Sequence, residues 1–499
     1  MRNKILMTAG REGNFFFAEA MQKAFGMQVD IVTYMQCAND IYEKSWRGQF
    51  NSNFNFVEFY KERIETLKSM NREEIDARQL AIERKYSIET SALFTYYDPH
   101  FRREFSYDDL RYRQLAYLEF LDTILDGEEY AFVLSGVSTY FMNCLQEACL
   151  SRDIPYITTI DARYLNIAVI DKMGQQIGME TLFNRLMAGD EDAVPKDVRA
   201  QADEWYENFV SAPKRPPYAI MNSRGSFSPL SMARKAVAQL SPNVLRQYSR
   251  HDFDKEFRYI DSPSQYLVNG VKGRVRALAQ NRSNLFNSEP DLSEPFFYLP
   301  LHLTPEIVDL VYGTNYDHHE GYVVQLAKRV PSDVQIYVKD HTSMLGRRPA
   351  SFYKKLKSLY NVQCIHPSVS TFELIRNSRA VVTVTGTAGW EAFLLGKPTV
   401  TFGNVFYNFL PGIFKSNLFQ EGFTSELKRY LENFETTEQR RRNAVRAYFG
   451  SSFPGTMGDI GIDTKRSDAR SNARAFAENL RKHLRHWRDE IQGTIPEKV

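Results

Sequence analysis

Cysteine is scarce: Cys37, Cys144, Cys149 and Cys364 are the four in 499 residues. None forms a C-x-x-C pair, and no histidine cluster completes a zinc site. A disulfide scaffold is thereby excluded, and a reducing, cytoplasmic setting is expected. No run of about 18 apolar residues occurs, so no transmembrane helix is expected. The opening MRNKILMTAGREG is too short in its apolar part for a signal-peptide core and reads better as a first strand. An excess of one charge is missing too. Lys and Arg number 63 against 61 Asp and Glu, a net charge of +2, which gives no bulk field to recruit nucleic acid. No repeat at the scale of solenoids is visible. No metal motif is read, and no metal is expected.

What is present is an ordinary globular balance, 43% hydrophobic and 25% charged, long enough for two or three domains. Aromatic residues make up 13%; these suit sugar-stacking surfaces, although core packing accounts for most of them. The organising stretch is RAVVTVTGTAGWEAFLLGKPTVTF, Arg379 to Phe402. Ala380 to Val384 is a short β-branched run, the pattern of a buried parallel strand. Thr385, Gly386, Thr387, Ala388 and Gly389 turn the chain, Trp390 to Leu395 is helical, and Gly396-Lys397-Pro398 stops it. Small residues between a strand's carboxyl end and a helix leave backbone N–H groups for an anion. Glu391, in what reads as the first helical turn, can accept hydroxyls. A plain βαβ unit with a Gly-rich turn has the same pattern.

In chain order, Lys4 to Thr8 reads as a strand, Ala9 to Asn14 as a turn and Phe15 to Phe25 as a helix. Arg11 and Glu12 then sit where open α/β sheets place ligands, or in a solvated turn. Phe54 to Leu125 has helical spacing and is expected to insert into or cover the sheet. Its cluster Tyr96 to Arg103 suits either an acceptor contact or a packed loop. Tyr130 to Leu134 and Ile154 to Ile160 read as strands, the second delivering Asp161-Ala162-Arg163. An aspartate there is either a turn residue or a catalytic carboxylate. Beyond a basic helical region, Phe296 to Leu301, Val334 to Val338 and Val362 to Ile365 alternate with helices, which implies a parallel sheet. Lys339 and His341 follow its second strand, and suit phosphate or carboxylate groups of a ligand. His302 follows its first, as a ligand contact or a core histidine.

Several ordered motifs carry a resemblance. FFYLPLHLTPE (Phe296–Glu306), YVKDHTS (Tyr337–Ser343), NVQCIHPS (Asn361–Ser368) and VTGTAGWEAFLLGKPTVTFG (Val384–Gly403) resemble the donor domain of bacterial capsule polysaccharide biosynthesis proteins, a group of GT-B glycosyltransferases. Lys339-Asp340-His341-Thr342 stands where that family often has Lys-x-His-Pro, and His302 where it often has Gln. The resemblance implies an α/β, GT-B-like fold with two Rossmann-like domains facing a cleft and helical insertions. Residues 1–285 would be the acceptor side, 286–465 the donor domain, and 466–499 a basic amphipathic helix that packs back on the first domain or lies on anionic membrane. It further implies a retaining transferase that moves a 3-deoxy-ulosonic acid, Kdo or a nonulosonate such as pseudaminic acid, from a CMP-activated donor. The acceptor would be a capsule or lipopolysaccharide glycan, free or lipid-linked. Catalytic candidates are Asp161, Glu12 and Arg163. Donor-binding candidates are Lys339, His341, His302, Thr385, Gly386, Thr387 and Glu391. The CMP-sugar is a co-substrate, and no cofactor is expected. A UDP-sugar transferase, a 2-epimerase or a non-catalytic glycan-binding subunit remain alternatives.

Overall fold

The computed structural model describes residues 3–98, 106–162, 167–214, 263–457 and 466–491. The chain divides into two compact units. One takes the described residues of Met1–Lys172 and Ser452–Val499, the other those of Met173–Ser231 and Ser264–Ser451. Each is an α/β unit built on a mainly parallel sheet, so the α/β class with two Rossmann-like domains holds.

The first unit contains β1 (Lys4–Ala9), β2 (Gln28–Thr33), β3 (Ser52–Asn55), β4 (Tyr130–Leu134), β5 (Tyr156–Asp161), β6 (Ile167–Lys172) and a closing strand β14 (Phe453–Pro454). They lie in the order β14-β6-β5-β4-β1-β2-β3. Strands β3 to β5 are joined through parallel pairings, whereas β6 runs antiparallel to both β5 and β14. β4 is buried along its whole length, as its unbroken apolar run requires. Between β3 and β4 come the helices Phe56–Ser69, Arg72–Lys85, Ala92–Tyr97 and Tyr107–Leu125. Asn71 starts the second of these with a reciprocal cap: its Oδ1 accepts from Glu74 N (3.0 Å), and its own N–H donates to Glu74 Oε2 (2.9 Å). Phe56 stacks on Tyr117 at 3.7 Å between ring centroids. The aromatic cluster that begins at Tyr96 is described only as far as Asp98, whose carboxylate accepts from Tyr140 N; 99–103 lie outside the described residues.

The second unit opens with β7 (Gln175–Gln176) and holds β8 (Phe296–Pro300), β9 (Gln335–Lys339), β10 (Val362–Ile365), β11 (Ala380–Thr383), β12 (Thr399–Thr401) and β13 (Ile413–Lys415). The last six form one all-parallel sheet, ordered β10-β9-β8-β11-β12-β13. Alternate residues pack on its two faces. Phe297, Leu299, Val338 and Val382 face one core, and Phe296, Tyr298, Tyr337 and Val381 face the other.

The division departs from the boundary at 285 read in the sequence. The helices Met179–Met187 and Lys196–Ser211 belong to the second unit, where they pack on helix Glu438–Gly450. Arg446 Nη2 donates to Asp203 Oδ2 (2.7 Å), and Gln176 Nε2 to Ser451 Oγ (2.7 Å). These partners lie hundreds of residues apart, and no local periodicity reports such pairings. The carboxyl-terminal helix, Arg466–His486, belongs to the first unit and packs on helix Glu12–Phe25. Phe476, Leu480 and Leu484 are fully buried there, and Phe476 meets Phe17 edge-on at 5.1 Å. Among the described residues no helix is long and apolar enough to cross a membrane.

Candidate functional site

Both sheets reverse their strand order once. In the second unit the chain builds outward from β8 through β9 to β10, then returns to β8's other side with β11. Such a switch point opens a crevice beyond the strands' carboxyl ends, where ligands of open α/β sheets bind. Here the crevice lies between the ends of β8 and β11.

Three of the donor-binding candidates meet at it. Thr385 N donates to His302 Nε2 (3.3 Å), so that ring nitrogen is the acceptor. Gly386 N donates to Thr383 Oγ1 (3.0 Å). A Cβ on Gly386 would lie 2.6 Å from that oxygen and 3.3 Å from His302 Cε1, so the close approach requires glycine. Helix Thr387–Leu394 starts immediately after, with Gly386 as a cap that supplies no side chain. Its first-turn amides, beginning at Thr387, therefore point to the same crevice. The helix begins three residues earlier than its sequence pattern suggests. Gly389 sits inside it because any Cβ would collide with the Tyr407 hydroxyl, which donates to Gly386 O. Glu391 is consequently in the second turn rather than the first, and it is buried.

A buried polar network ties down the loops that carry His302 and His341. Arg348 Nη2 donates to His302 O (3.0 Å) and to His319 Nδ1 (2.7 Å), and its Nε to Asp340 Oδ2 (2.8 Å). Asp340 Oδ1 accepts from His341 N (2.8 Å), and Oδ2 also accepts from Tyr353 Oη (2.7 Å). Arginine can only donate, so His319 carries its hydrogen on Nε2 and passes it to Asp309 Oδ1 (2.7 Å). Thr304 Oγ1 donates to the other oxygen of Asp309 (2.6 Å). With every charge partnered, the network holds the ends of β8 and β9 in register. The sequence pattern singles out His341 but none of Asp309, His319 or Arg348 as a participant; Asp340 lies within the YVKDHTS motif.

Lys339 is placed differently from a simple anion ligand. It is the last residue of β9, buried, and its ammonium donates to Val369 O (2.6 Å) and Thr371 Oγ1 (2.8 Å). A buried ammonium must find acceptors, and the start of helix Thr371–Asn377 supplies them. His341 caps a short helical turn, accepting from Ser343 N at 3.2 Å through Nδ1. A further cation lies at this sheet edge. Lys415 Nζ donates to Phe402 O (2.7 Å) and also to Gly403 O, and Gly403 lies against Thr385 and Tyr312. Its stem is exposed, but its ammonium is enclosed by these carbonyls, and desolvation pushes it down to about 8. Nothing in its sequence surroundings marks it.

In the first unit the switch point lies between β1 and β4. Thr8 Oγ1 and Ser135 Oγ share a hydrogen bond across it (2.7 Å). Asn14 Oδ1 accepts from Gly10 N (3.1 Å) and Arg11 N (3.0 Å), folding the turn so that the helix starts at Glu12, earlier than its apolar pattern suggests. Glu12 thus stands at this switch point. Asp161 ends β5, the strand beside β4, and its Oδ1 accepts from Met457 N (2.8 Å). Arg163 lies outside the described residues. Two Asp-x-Asp triplets also occur. Asp190 and Glu191 of the first are engaged by Arg185 and Arg199, and the second, Asp252 to Asp254, is outside the described residues.

Comparison with known proteins agrees with the resemblance carried by the motifs. Residues 214–438 match the family model for capsule polysaccharide biosynthesis proteins, so that stretch of the chain is similar to this family. Protein FixF of Sinorhizobium fredii is 30% identical over 160 residues, which cover 29% of this chain and 36% of FixF. The capsule polysaccharide modification protein LipA of Neisseria meningitidis serogroup A is 26% identical over 154 residues, covering 29% and 22% of the two chains. The chain thus spans only about a third or less of the curated relatives it matches. Among solved structures, the β-Kdo 2,4 transferase KpsC of Thermosulfurimonas dismutans is 16% identical, covering 64% of this chain and 80% of that one, with a TM-score of 0.33.

Proposed function

We propose that the chain is a glycosyltransferase that moves a 3-deoxy-ulosonic acid, Kdo or a nonulosonate such as pseudaminic acid, from its CMP donor to a capsule or lipopolysaccharide glycan, with retention of configuration. The observation that carries this reading is the meeting of His302 with the Thr385–Gly386 turn at the switch point of a sheet whose motifs are similar to the capsule family's. An amide-rich turn fits the phosphate of a CMP leaving group, and the His302 imidazole is the group proposed for the carboxylate that such sugars carry. Glu391 is the group proposed for the ribose.

In this mechanism Asp161 is the nucleophile. One carboxylate oxygen bonds to the anomeric carbon as the bond from that carbon to the CMP phosphate oxygen breaks, and CMP leaves with the electron pair. The acceptor hydroxyl oxygen then attacks the same carbon, the bond to Asp161 breaks, and the hydroxyl proton passes to a base. Glu12 is the candidate for that base. Two inversions leave the anomeric configuration unchanged. Arg163, close behind Asp161 in sequence, is proposed to offset the charge on the departing phosphate. The reading places the enzyme in the cytoplasm, at the inner face of the membrane where a lipid-linked acceptor resides.

A donor panel tests it. The melting temperature of the chain should rise with CMP-Kdo or a CMP-nonulosonate, because a ligand that binds only the folded state stabilises it by mass action. UDP-N-acetylglucosamine should leave it unchanged. A rise with the UDP-sugar alone would move the chain to the UDP-dependent transferases or epimerases. No rise with any nucleotide-sugar, together with retention of capsule glycan, would make it a glycan-binding subunit.

A further inference from the structure

Helix Pro263–Asn281, PSQYLVNGVKGRVRALAQN, precedes the second unit's first long strand. One face of it is anchored. Gly346 N donates to Gln280 Oε1 (2.9 Å), Gln280 Nε2 to Arg348 O (2.8 Å), and Arg276 Nη1 to Arg347 O (3.2 Å). Ala277 and Gln280 are buried, and Gly346, at φ +81°, fits so closely under Gly273 and Ala277 that no side chain would be accommodated. Among the described residues nothing covers the opposite face. Val268, Val271, Val275 and Leu278 are 48%, 52%, 63% and 59% exposed. Their spacing of three, four and three residues places all four within an arc of about 80°, at roughly 100° per residue. Buried leucine and valine are the rule in this protein, so four consecutive aliphatic positions turned outward on one helix form a patch rather than isolated exceptions.

The charges around that patch select its occupant. The helix contains no aspartate or glutamate. Lys272 flanks the stripe on one side and Arg274 on the other, with Arg276 further round and the exposed Arg282 just beyond the last turn. A second copy of the same helix would bring like charges together with no carboxylate on either helix to offset them. An anionic phospholipid surface satisfies both features: acyl chains take the aliphatic stripe, and headgroup phosphates take the flanking cations. We infer that this helix face is a docking surface for anionic membrane. The carboxyl-terminal helix cannot supply the same contact through its own apolar stripe, because Phe476, Leu480, Leu484 and Trp487 are buried in the first unit. The inference sharpens the membrane contact in the functional reading but does not depend on which sugar is transferred.

Co-sedimentation of the full chain with phosphatidylglycerol-containing vesicles, against pure phosphatidylcholine vesicles, tests it without donor or acceptor. The wild type should pellet with the anionic vesicles and stay in solution with the neutral ones, and added salt should weaken the binding. Val271→Ser with Val275→Ser, and separately Lys272→Glu with Arg274→Glu, should each lower the partition coefficient by roughly tenfold or more. Melting temperature should hold in both, since the substituted groups lie on the uncovered side of the helix; Leu278→Ser provides a second apolar variant should the double one misfold. Equal binding to neutral vesicles, no binding to anionic ones, or unchanged binding in every variant would overturn the inference. So would a lipid-free change of sedimentation coefficient in Val271→Ser with Val275→Ser, which would assign the stripe to a contact between copies.

Discussion

Replacing Asp161 by Asn should lower sugar transfer by roughly two to four orders of magnitude, with donor affinity nearly unchanged. The structure makes this a clean substitution. Asp161 Oδ1 accepts from Met457 N, and an asparagine Oδ1 can accept the same hydrogen. The backbone anchor then survives while the charge that would attack the anomeric carbon is removed. Asp161→Ala should lose the anchor as well, so it should cost stability in addition to turnover. Transfer assays on both variants, with calorimetric donor binding alongside, separate these effects. Near-normal turnover in both would remove Asp161 from the mechanism and leave Glu12, at the first unit's switch point, as the next carboxylate to test.

The second large effect is expected at His302. Its Nε2 is the acceptor for Thr385 N, and its ring edge lies against Gly386, so it sets the turn that would hold the donor. His302→Ala should raise the dissociation constant of a CMP-sugar by roughly tenfold to a hundredfold, the effect of leaving a buried amide without its acceptor and freeing the turn. The loop itself should stay in place, because Arg348 holds it through the backbone carbonyl of residue 302, which every substitution retains. His302→Gln should therefore restore affinity to within a few-fold, because glutamine offers a side-chain acceptor of similar reach. Calorimetry in which alanine and glutamine weaken binding equally would show that the Thr385 contact is not what matters at this position.

The same geometry changes the expectation for Lys339. With its ammonium on Val369 O and Thr371 Oγ1, Lys339→Ala removes an internal brace between β9 and the next helix. A weaker donor site in that variant would report a disturbed sheet end as readily as a lost ligand contact.

Local pattern carried most of the strand and helix alternation. The β-branched run at Ala380 to Val384 appears as β11, one residue shorter, and the long helical stretch before Tyr130 appears as the four helices after β3. Local pattern failed where a distant group decides. Helix Thr387–Leu394 starts early despite Gly389 because the Tyr407 hydroxyl occupies the space a side chain would need. β6 turns antiparallel to β5, and β14 pairs with it from nearly three hundred residues away, so the chain leaves the first unit at Lys172 and rejoins it at Ser452. The candidate site divides in the same way. His302, Thr385 and Gly386 are legible because motif order places them at strand ends. The Asp309–His319–Arg348–Asp340 network is not, since its members come from four separate segments and become neighbours only when β8 and β9 are paired.

Binding of the nucleotide-sugar at the carboxyl ends of β8 and β11 can be read by amide hydrogen exchange with and without saturating CMP-Kdo. Slowed exchange is expected at Thr387 and Ala388, where the phosphate would engage the helix's first amides, and at Thr385, Gly386 and the backbone around His302, whose existing hydrogen bonds a bound donor would steady. Unchanged exchange across those amides, with protection confined to other segments while the donor is demonstrably bound, would contradict it.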